Sequence, residues 1–312
     1  MKLRIAWIGL ALAFSGMVAD AAERATPPAS GDDQRILVLG RISDDPKAHY
    51  EQLKPLLDYV VPRMRDVGIT GGRILMARDP QQMTSYLRRS RVDWVTETAG
   101  NAMLLQQRAG AEPLLLTERN GVSRYHSVFF ARRDSDISSL PDLKGRSIAF
   151  QSTASTSAYM VPAASLLDAG LVPEILLSPK DRPAPDTVGY VFARSEQNIA
   201  AWVHKRMVDA GVVSNLDWSN PQRVPAAFRL DLRIIAETED YPRALEVVRG
   251  DLDPKVRERL REVLLQAADD PVARPALERF FGTTRFLPLD ARTRLALERL
   301  RKDTMHVREQ LE

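Results

Sequence analysis

The sequence predicts an α/β fold, and the pattern of apolar residues carries that prediction. From residue 35 onward, short apolar runs typical of strands alternate with longer amphipathic runs typical of helices. Strands separated by helices are joined by parallel crossovers and share a sheet. The length of 312 residues allows one large domain or two lobes of ordinary size. We expect two lobes.

The first part of the chain alternates regularly between the two kinds of element. The second of its helices has clear start signals. Asp79 can cap the first amides, and Pro80 lacks an amide hydrogen at a position where that hydrogen would have no partner within the helix. Gly110 favours the left-handed backbone that ends the third helix. Strands are expected at residues 35–42, 71–77, 92–97 and 111–118, and helices at residues 50–68, 79–90 and 98–110.

The rest of the chain continues the alternation less regularly. An alternating polar and apolar segment is followed by a short helix, a strand after Gly145, and a helix that ends at Gly170. The next helix is expected to end at Gly211. The remaining elements are a strand at residues 232–238 and helices at residues 253–270 and 290–312.

The N-terminus predicts a secretory signal peptide over residues 1–21. Lys2 and Arg4 precede an apolar run that ends at a small-residue cleavage site near Ala21. That run is shorter than the roughly 20 apolar residues a spanning helix needs. Residues 22–34 are rich in Ala, Pro, Ser, Gly and Asp and predict a disordered lead. We expect export to the periplasm, with an uncleaved membrane anchor as the alternative.

Composition and the absence of several motifs exclude other classes of protein. The chain has no Cys, which excludes lipoprotein anchoring, disulfides and thiolate metal sites. Its 44 basic and 41 acidic residues are interspersed, and no aromatic residues interleave the basic clusters to stack on bases. It contains no HExxH, GxSxG, P-loop or strand-linked GxGxxG motif. We therefore expect no enzyme, cofactor, metal or nucleic-acid partner.

Two segments resemble the phosphate/phosphite/phosphonate-type substrate-binding proteins of ABC transporters. Family members have a strand, a Ser-Thr-Ser-Gly turn and a helix containing Pro; here residues 155–158 read Ser-Thr-Ser-Ala and Pro162 follows. The second family motif is Gly-Ser-His-Asp-Ala followed by Val-Asp-Ala-Gly. Here residues 194–198 read Arg-Ser-Glu-Gln-Asn and residues 208–211 read Val-Asp-Ala-Gly. The order of elements agrees over about residues 35–289.

The resemblance implies a two-lobed, type II periplasmic-binding-protein fold with two crossover hinge strands. Lobe I is expected over residues 33–122 and 226–312, and lobe II over residues 123–225. The implied function is capture of a small polar ligand, a phosphonate- or phosphate-like oxyanion, between the lobes for an ABC importer. Its implied partners are that ligand and the membrane permease. A ligand-sensing module for a membrane histidine kinase or chemoreceptor remains the alternative.

The run of Ser and Thr before the Pro162 helix is the main candidate for the ligand site. A helix begins with unpaired amides and a partial positive charge, so Ser155, Thr156 and Ser157 are placed where donors can converge on an oxyanion. The same residues are also common as simple helix caps. The resemblance favours the ligand-binding reading.

Other candidates follow strands whose ends are expected to face the cleft. Ser43 follows the first strand, and Thr96, Glu97 and Thr98 end the third. The carboxylate of Glu97 would repel a phosphate-like dianion unless it is protonated or paired with a cation.

The second motif and the hinge segments supply the remaining candidates. Ser195 precedes Glu196, which stands where the family has its His. If Glu97 and Glu196 both point inward, the ligand carries an amine or many hydroxyls rather than being a bare oxyanion. The hinge and return segments add weaker ligand-binding candidates: Tyr125, His126, Asp217, Tyr241 and Arg243. Arg243 could grip an acid group as a planar donor fork, with a solvated surface position as the alternative.

Overall fold

A computed structural model describes residues 35–311, and the predicted signal peptide and lead lie outside the described residues. The described residues belong to one compact unit. In chain order the strands are β1 Arg35–Ile42, β2 Ile69–Ala77, β3 Trp94–Thr98, β4 Glu112–Arg119, β5 Arg124–Tyr125, β6 Ser127–Arg132, β7 Ser147–Phe150, β8 Pro173–Ile175, β9 Val188–Phe192, β10 Ala210–Ser214, β11 Leu232–Glu237, β12 Tyr241–Pro242, β13 Ala244–Val248 and β14 Thr283–Leu287.

Helices lie between most of these strands, as the alternating pattern predicts. The α-helices are α1 Pro46–Val60, α2 Pro80–Arg88, α3 Ala99–Ala109, α4 Val161–Asp168, α5 Glu196–His204, α6 Asn215–Ser219, α7 Ala226–Arg229, α8 Pro254–Gln266, α9 Arg274–Arg279 and α10 Ala291–Leu311. A π-helical turn, Thr156–Met160, leads into α4. Single-turn or short 3₁₀ segments occur at Val61–Val67, Leu140–Leu143 and Ala267–Asp269.

The strands form two six-stranded sheets of mixed direction. The first has the order β14-β4-β13-β3-β1-β2, and the second has the order β11-β6-β10-β7-β9-β8. In the first sheet β1 runs parallel to β2 and β3, whereas β13 runs antiparallel to β3 and β4. We call the parts of the chain built on these sheets the first lobe and the second lobe.

The chain crosses between the lobes through two short strands. β5 and β12 pair with each other in antiparallel register, with Tyr125 opposite Tyr241. The return crossing at β12 comes later than the boundary near residue 226 expected from the sequence, because β11 still pairs with β6 of the second sheet. Two crossings of this kind are the hinge arrangement that the resemblance implies.

Both faces of the first sheet are covered, so its strands alternate between two cores. On β1, Leu37 and Leu39 join the apolar cluster under α1 and α8, whereas Val38 joins the cluster under α2 and α3. Successive side chains of a strand point to opposite faces, which explains the division. Helices on both faces leave the carboxyl-end edge of the sheet open for polar residues.

The structure differs from the sequence-based expectation at residues 195–211. That segment was expected to be one helix ending at Gly211, but α5 ends at His204 and Arg206 adopts a left-handed φ of 59°. Gly211 lies instead within β10, where an added Cβ would come within 2.5 Å of Ile199. The glycine therefore allows α5 to pack closely on the strand. Strands β8, β9, β13 and β14 were not anticipated from the sequence.

The C-terminal helix α10 contributes to the cores of both lobes. Leu297 and Leu300 pack in the cluster under α3 of the first lobe, and Val307 packs in the main cluster of the second lobe. The helix therefore bridges the two lobes beside the hinge. Within residues 35–311, no helix has the length and apolar character needed to cross a membrane.

Candidate functional site

Three strands of the first sheet end at one edge. β1 and β3 are parallel, and β3 and β4 both run antiparallel to β13, so the carboxyl ends of all three coincide. Arg41 lies near the end of β1, Glu97 near the end of β3 and Arg119 at the end of β4. The open edge of an α/β sheet is where ligands bind most often.

Arg41 and Arg119, which we call the arginine pair, meet over one aromatic ring. Their guanidinium carbons lie 4.3 and 4.6 Å from the ring centroid of Phe281. Arg41 donates from Nη1 to the Thr96 carbonyl at 3.2 Å, and Arg119 donates from Nη2 to the Thr96 hydroxyl at 3.4 Å. The Nε atom of each arginine is buried without a hydrogen-bond partner. Such donors are rare in folded proteins unless a ligand or water completes them.

The electrostatic environment of Arg119 is unusual for a buried cation. Burial, together with the charges of Arg41 and Arg243, lowers its pKa to about 9, although Glu246 and Glu97 partly oppose the shift. The guanidinium is still charged at neutral pH. Arg41 and Arg243 both disfavour the charged form of Arg119, so an anion bound beside it would be stabilised.

Glu97 does not project a free carboxylate into this site. Its side chain is 2% exposed, and it accepts hydrogen bonds from the amides of Ile42 at 2.9 Å and Thr98 at 3.2 Å and from the Asn101 side chain at 3.1 Å. The carboxylate therefore ties β1 to β3 and to the start of α3. It also supplies negative charge next to the arginine pair.

Thr96 is wholly buried and serves a second internal carboxylate. Its hydroxyl donates to Glu246 Oε1 at 2.8 Å, which also accepts from Thr117 at 2.8 Å, while Glu246 Oε2 accepts from Trp94 Nε1 at 2.6 Å. Burial raises the pKa of Glu246, and these three donors together with Arg119 oppose that rise. Thr96 thus connects the carboxylate to the arginine pair.

The predicted hydroxyl turn, residues 155–157, lies where the two lobes touch. Ser155 caps the π-helical turn by accepting from the Ala158 amide at 3.1 Å. Thr156 is 1% exposed; its hydroxyl accepts from the Gly100 amide at 3.1 Å and donates to the Thr98 hydroxyl at 3.0 Å. The hydroxyl of Thr156 therefore satisfies the start of α3, and it does so across the interface between the lobes.

Gly100 is required for that close approach. A Cβ built at Gly100 would lie 2.6 Å from both the Thr156 hydroxyl and the Met160 sulfur. Asn101 adds a further link, since its side chain donates to the Ala154 carbonyl at 3.2 Å. The first turn of α3 and the hydroxyl turn are consequently in direct contact.

The predicted hinge tyrosines lie together beside the turn. The rings of Tyr125 and Tyr241 are 4.8 Å apart in an edge-to-face arrangement. Ser127 donates to the Ser157 carbonyl at 2.8 Å, so the Tyr241 hydroxyl, 2.8 Å from Ser127 Oγ, is the donor in that second bond. Burial raises the pKa of Tyr125 to about 12 and that of Tyr241 well above its usual value. Both phenols are neutral donors at physiological pH.

Asp217 and Arg243 are charged groups close enough to the Tyr125 ring to affect its pKa. Asp217 accepts from the Ser214 hydroxyl at 2.5 Å at the start of α6, and its charge contributes to the raised pKa of both tyrosines. Arg243 donates from Nη1 to the Arg119 carbonyl at 2.9 Å. Burial lowers the pKa of Arg243, which Tyr125 and Asp217 oppose. The guanidinium of Arg243 therefore adds a third positive charge next to Arg119, on the side toward the hinge strand β12.

The second motif contributes a cap and a carboxylate. Ser195 caps α5 by accepting from the Asn198 amide at 3.2 Å. Burial and the charge of Asp217 raise the pKa of Glu196; Arg223, 3.6 Å away, opposes the rise, and Asp44 adds to it. Asp44 belongs to the first lobe, so the pKa of Glu196 responds to charges from both lobes.

Ser43 packs with a histidine behind the arginine pair. It is 6% exposed, and its hydroxyl lies 2.6 Å from His49 Nδ1. Burial and Arg41 lower the pKa of His49, which Asp44 partly opposes, so the imidazole is neutral at physiological pH. Its ring centroid lies 5.7 Å from that of Phe281.

The structure thus brings the predicted residues around one region between the lobes. They differ in how many of their hydrogen-bonding groups already have partners within the protein. Thr96, Glu97, Thr156 and the capping serines are engaged within the protein. Arg41 and Arg119 belong to the first lobe, whereas the carboxylates of Glu196 and Asp217 belong to the second. Within residues 35–311, no group of three or more His, Cys, Asp or Glu is arranged to hold a metal ion.

Sequence reasoning missed the most distinctive part of this region. Arg41 and Arg119 are basic residues at the ends of correctly predicted strands, and that position was a usable signal. Phe281 carried no such signal, because it approaches the site from a turn far along the chain.

Comparison with known proteins shows the family to which this chain belongs. The family model for the phosphonate periplasmic substrate-binding protein of ABC transporters matches residues 40–293. XAC2383 from Xanthomonas citri bound to chloride ion is 55% identical over 88% of this chain and 99% of that chain, with a TM-score of 0.86. The structure of XAC2383 bound to ATP is 54% identical over 89% of this chain and 99% of that chain, with a TM-score of 0.85.

A more distant relative shares the fold. PhnD1 from Prochlorococcus marinus (MIT 9301) in complex with methylphosphonate is 16% identical over 89% of this chain and 100% of that chain, with a TM-score of 0.64. The matched family is a substrate-binding component of a transporter and not an enzyme, and it implies a periplasmic location, a small-molecule ligand and an ABC transporter permease as partner. The two-lobed type II fold expected from the sequence is confirmed. This chain belongs to the phosphonate-type periplasmic substrate-binding proteins of ABC transporters.

Proposed function

We propose that this protein captures a phosphonate- or phosphate-type oxyanion, alone or as part of a larger molecule, between its lobes and delivers it to an ABC importer. The single observation that carries the proposal is the pair of buried, unpartnered Nε donors on Arg41 and Arg119. A guanidinium and an oxyanion make charge-assisted hydrogen bonds of complementary geometry.

Further donors support the proposal. Arg243 and the neutral phenol of Tyr125 lie close to Arg119 and extend the donor set toward the hinge. An ATP-bound relative at 54% identity makes a phosphate-bearing molecule larger than a simple phosphonate a reasonable ligand for this chain. The candidate carboxylates Glu196 and Asp217 would then face the part of the ligand away from its phosphate.

We also propose that the lobes close around the ligand by rotation at β5 and β12. The Thr156 contact with Thr98 and Gly100 would form on closure. A ligand that binds only the closed form shifts a pre-existing equilibrium toward it. The sequence-predicted signal peptide, cleaved near Ala21, would deliver the protein to the periplasm.

Isothermal titration with inorganic phosphate, methylphosphonate, ATP and sulfate tests the proposal. We expect the wild-type protein to bind at least one of the three phosphorus compounds. Arg119→Gln should weaken that binding by about a hundredfold, since losing hydrogen bonds from a charged donor costs about 2–3 kcal/mol. Arg41→Gln should act in the same direction.

Arg261→Gln is the matched control, because Arg261 pairs with Glu258 on the surface of α8. It should leave affinity unchanged. Thermal melting must show that each variant is folded. Wild-type protein that binds none of these phosphorus compounds, or an Arg119→Gln variant that binds as well as the control, contradicts the proposal.

Transport and sensing are separated by a different measurement. Uptake of the bound compound should fall in cells that lack this protein and return when it is supplied. Normal uptake together with loss of a ligand-induced signalling response would favour the sensing alternative.

A further inference from the structure

Phe281 has an uncommon backbone conformation for a bulky residue. Its φ is 55°, and the next residue, Gly282, has a φ of 65°. The left-handed region suits glycine and asparagine, and a bulky side chain there is an outlier. Non-glycine residues held in this region often lie at functional sites, so the conformation needs a reason.

The turn that contains Phe281 is firmly held. The Phe281 amide donates to the Arg279 carbonyl at 2.9 Å, and the Gly282 amide donates to the Glu278 carbonyl at 2.9 Å. The Asn120 amide, next to Arg119, donates to the Gly282 carbonyl at 2.7 Å. The backbone is therefore fixed against the end of β4.

Core packing accounts for only part of the position of the Phe281 ring, which packs at the edge of the cluster under α1 and α8 and lies 5.5 Å from the ring of Phe280. The preceding residue, Phe280, is fully buried and fills the core between α9 and the first sheet. The Phe281 side chain is only partly buried, and it contacts three basic side chains from three elements: Arg41, His49 and Arg119. The left-handed conformation turns this ring toward the strand ends.

We propose that Phe281 is a positioning residue for oxyanion binding. Its ring holds the two guanidinium groups of the arginine pair close together, so that their unpartnered Nε donors serve one tetrahedral oxyanion such as a phosphate or phosphonate group. This inference rests on the proposed function and concerns the same site.

The physical reason is the mutual repulsion of two neighbouring cations. Without an anion, Arg41 disfavours the charged form of Arg119, and each side chain would gain by separating. The π-face of an aromatic ring attracts a guanidinium, and the attraction grows when water is excluded. A ring shared by both arginines therefore fixes them in advance, and preorganised donors bind more tightly than mobile ones.

Three substitutions of Phe281 test the inference with two readouts. Phe281→Leu keeps an apolar side chain of similar reach and removes the π-face, and Phe281→Tyr keeps the π-face. Phe281→Asn removes the ring but suits a left-handed backbone. Affinity is measured by titration with whichever of inorganic phosphate, methylphosphonate or ATP the wild-type protein binds, and the order of the unliganded arginine side chains is measured from their Nε–H signals by nuclear magnetic resonance.

Phe281→Leu and Phe281→Asn should each bind about tenfold or more weakly than wild type. Phe281→Tyr should stay within about threefold of wild type. The Nε–H signals of Arg41 and Arg119 should broaden or exchange faster in Phe281→Leu and Phe281→Asn, and not in Phe281→Tyr. Phe281→Asn should melt no lower than Phe281→Leu, which separates a positioning role from a purely structural one.

Unchanged affinity in Phe281→Leu, with Arg119→Gln still defective, overturns this inference and leaves the proposed function standing. Equal loss in Phe281→Tyr and Phe281→Leu also overturns it, because the π-face would then be irrelevant. If the wild-type protein binds none of the three probes, the proposed function fails and the inference fails with it.

Discussion

The hydroxyl turn and the arginine pair both place several donors at the interface between the lobes, but they use them differently. The Thr156 hydroxyl is consumed by the Thr98 hydroxyl and the Gly100 amide. The arginine pair keeps a buried Nε on each side chain without a partner. The Thr156 hydroxyl therefore holds protein to protein, whereas the arginine pair has donors left for a ligand.

This difference teaches that the number of donors at a helix start does not define an anion site. A hydroxyl can both donate and accept, so it is readily satisfied by neighbouring backbone and side-chain groups. A guanidinium only donates, and its five hydrogens in a fixed fork are harder to satisfy internally. Unused donor capacity is thus a better indicator of a ligand site than donor density.

After the substitutions of the arginine pair, the largest expected effect comes from Glu97. Its carboxylate holds β1 and β3 together next to the arginine pair. Glu97→Gln replaces an oxygen that accepts from the Thr98 amide and Asn101, so donors would face a donor. We expect the free energy of unfolding to fall by about 1–3 kcal/mol. We also expect weaker oxyanion binding, because β1 and Arg41 lose their support. Urea unfolding and titration measure the two effects.

The direction of the affinity change decides how Glu97 acts. A carboxylate that faced and repelled the ligand would give tighter oxyanion binding in Glu97→Gln, with unchanged stability. Asp58→Asn is a suitable control, because Asp58 forms an exposed ion pair with Lys54 on α1. A tighter-binding Glu97→Gln would contradict the supporting role.

Thr156→Ala tests the role of the hydroxyl turn as a contact between the lobes. Removal of the hydroxyl leaves the Gly100 amide unpaired in a buried contact between the lobes. The expected cost is about 1–2 kcal/mol, which weakens oxyanion binding by roughly tenfold if the contact exists only in the closed form. Small-angle scattering should show a larger open fraction. Loss of binding as severe as in Arg119→Gln would mean that this hydroxyl contacts the ligand directly.

Substitution of Asp303 on α10 should give the smallest change in stability. Asp303 lies near α4, the helix that follows the hydroxyl turn. Burial, together with the charge of Asp168 on α4, raises its pKa from 3.8 to about 6, although Arg299 and His306 oppose the rise. The folded state therefore binds this proton more tightly than the unfolded state, so stability is lost as the pH rises from about 4 to 6. Asp303→Asn removes the buried charge.

At pH 7.5 we expect the free energy of unfolding of Asp303→Asn to be about 1 kcal/mol higher than that of wild type, a figure reduced for partial exposure. Below about pH 4 the difference should disappear, because Asp303 is then protonated in both states of the wild type. Urea unfolding at both pH values is the measurement. A difference that persists at pH 3.5 would exclude the titration of Asp303 as its cause.

Much of the fold was predictable because it depends on local pattern. The strands and helices of the first lobe up to Arg119 follow from apolar periodicity and from caps such as Asp79, which accepts from the Gln82 amide at 2.7 Å. The end of α5 was not predictable in this way. Gly211 reads locally as a helix terminator, but the approach of Ile199 to β10 decides its place.

The candidate site was predictable as a region and not as a set of donors. Ser157, Tyr125, Tyr241 and Asp217 lie near one another. Whether Thr156 or Glu97 is free to bind a ligand depends on Gly100, Asn101 and Ile42, and none of these is marked by a motif. Their role as ligand-binding residues stays a prediction.

The sequence by itself determined the alternation of strands and helices, the family and the place where strand ends would meet, because periodicity and turn chemistry are local properties of the chain. Only the tertiary structure decided which donors remain unused. That outcome depends on pairings such as Thr156 with Gly100 and Phe281 with the arginine pair, which join residues distant in the sequence. Hydrogen-bond satisfaction is a property of the assembled neighbourhood, and no single segment carries it.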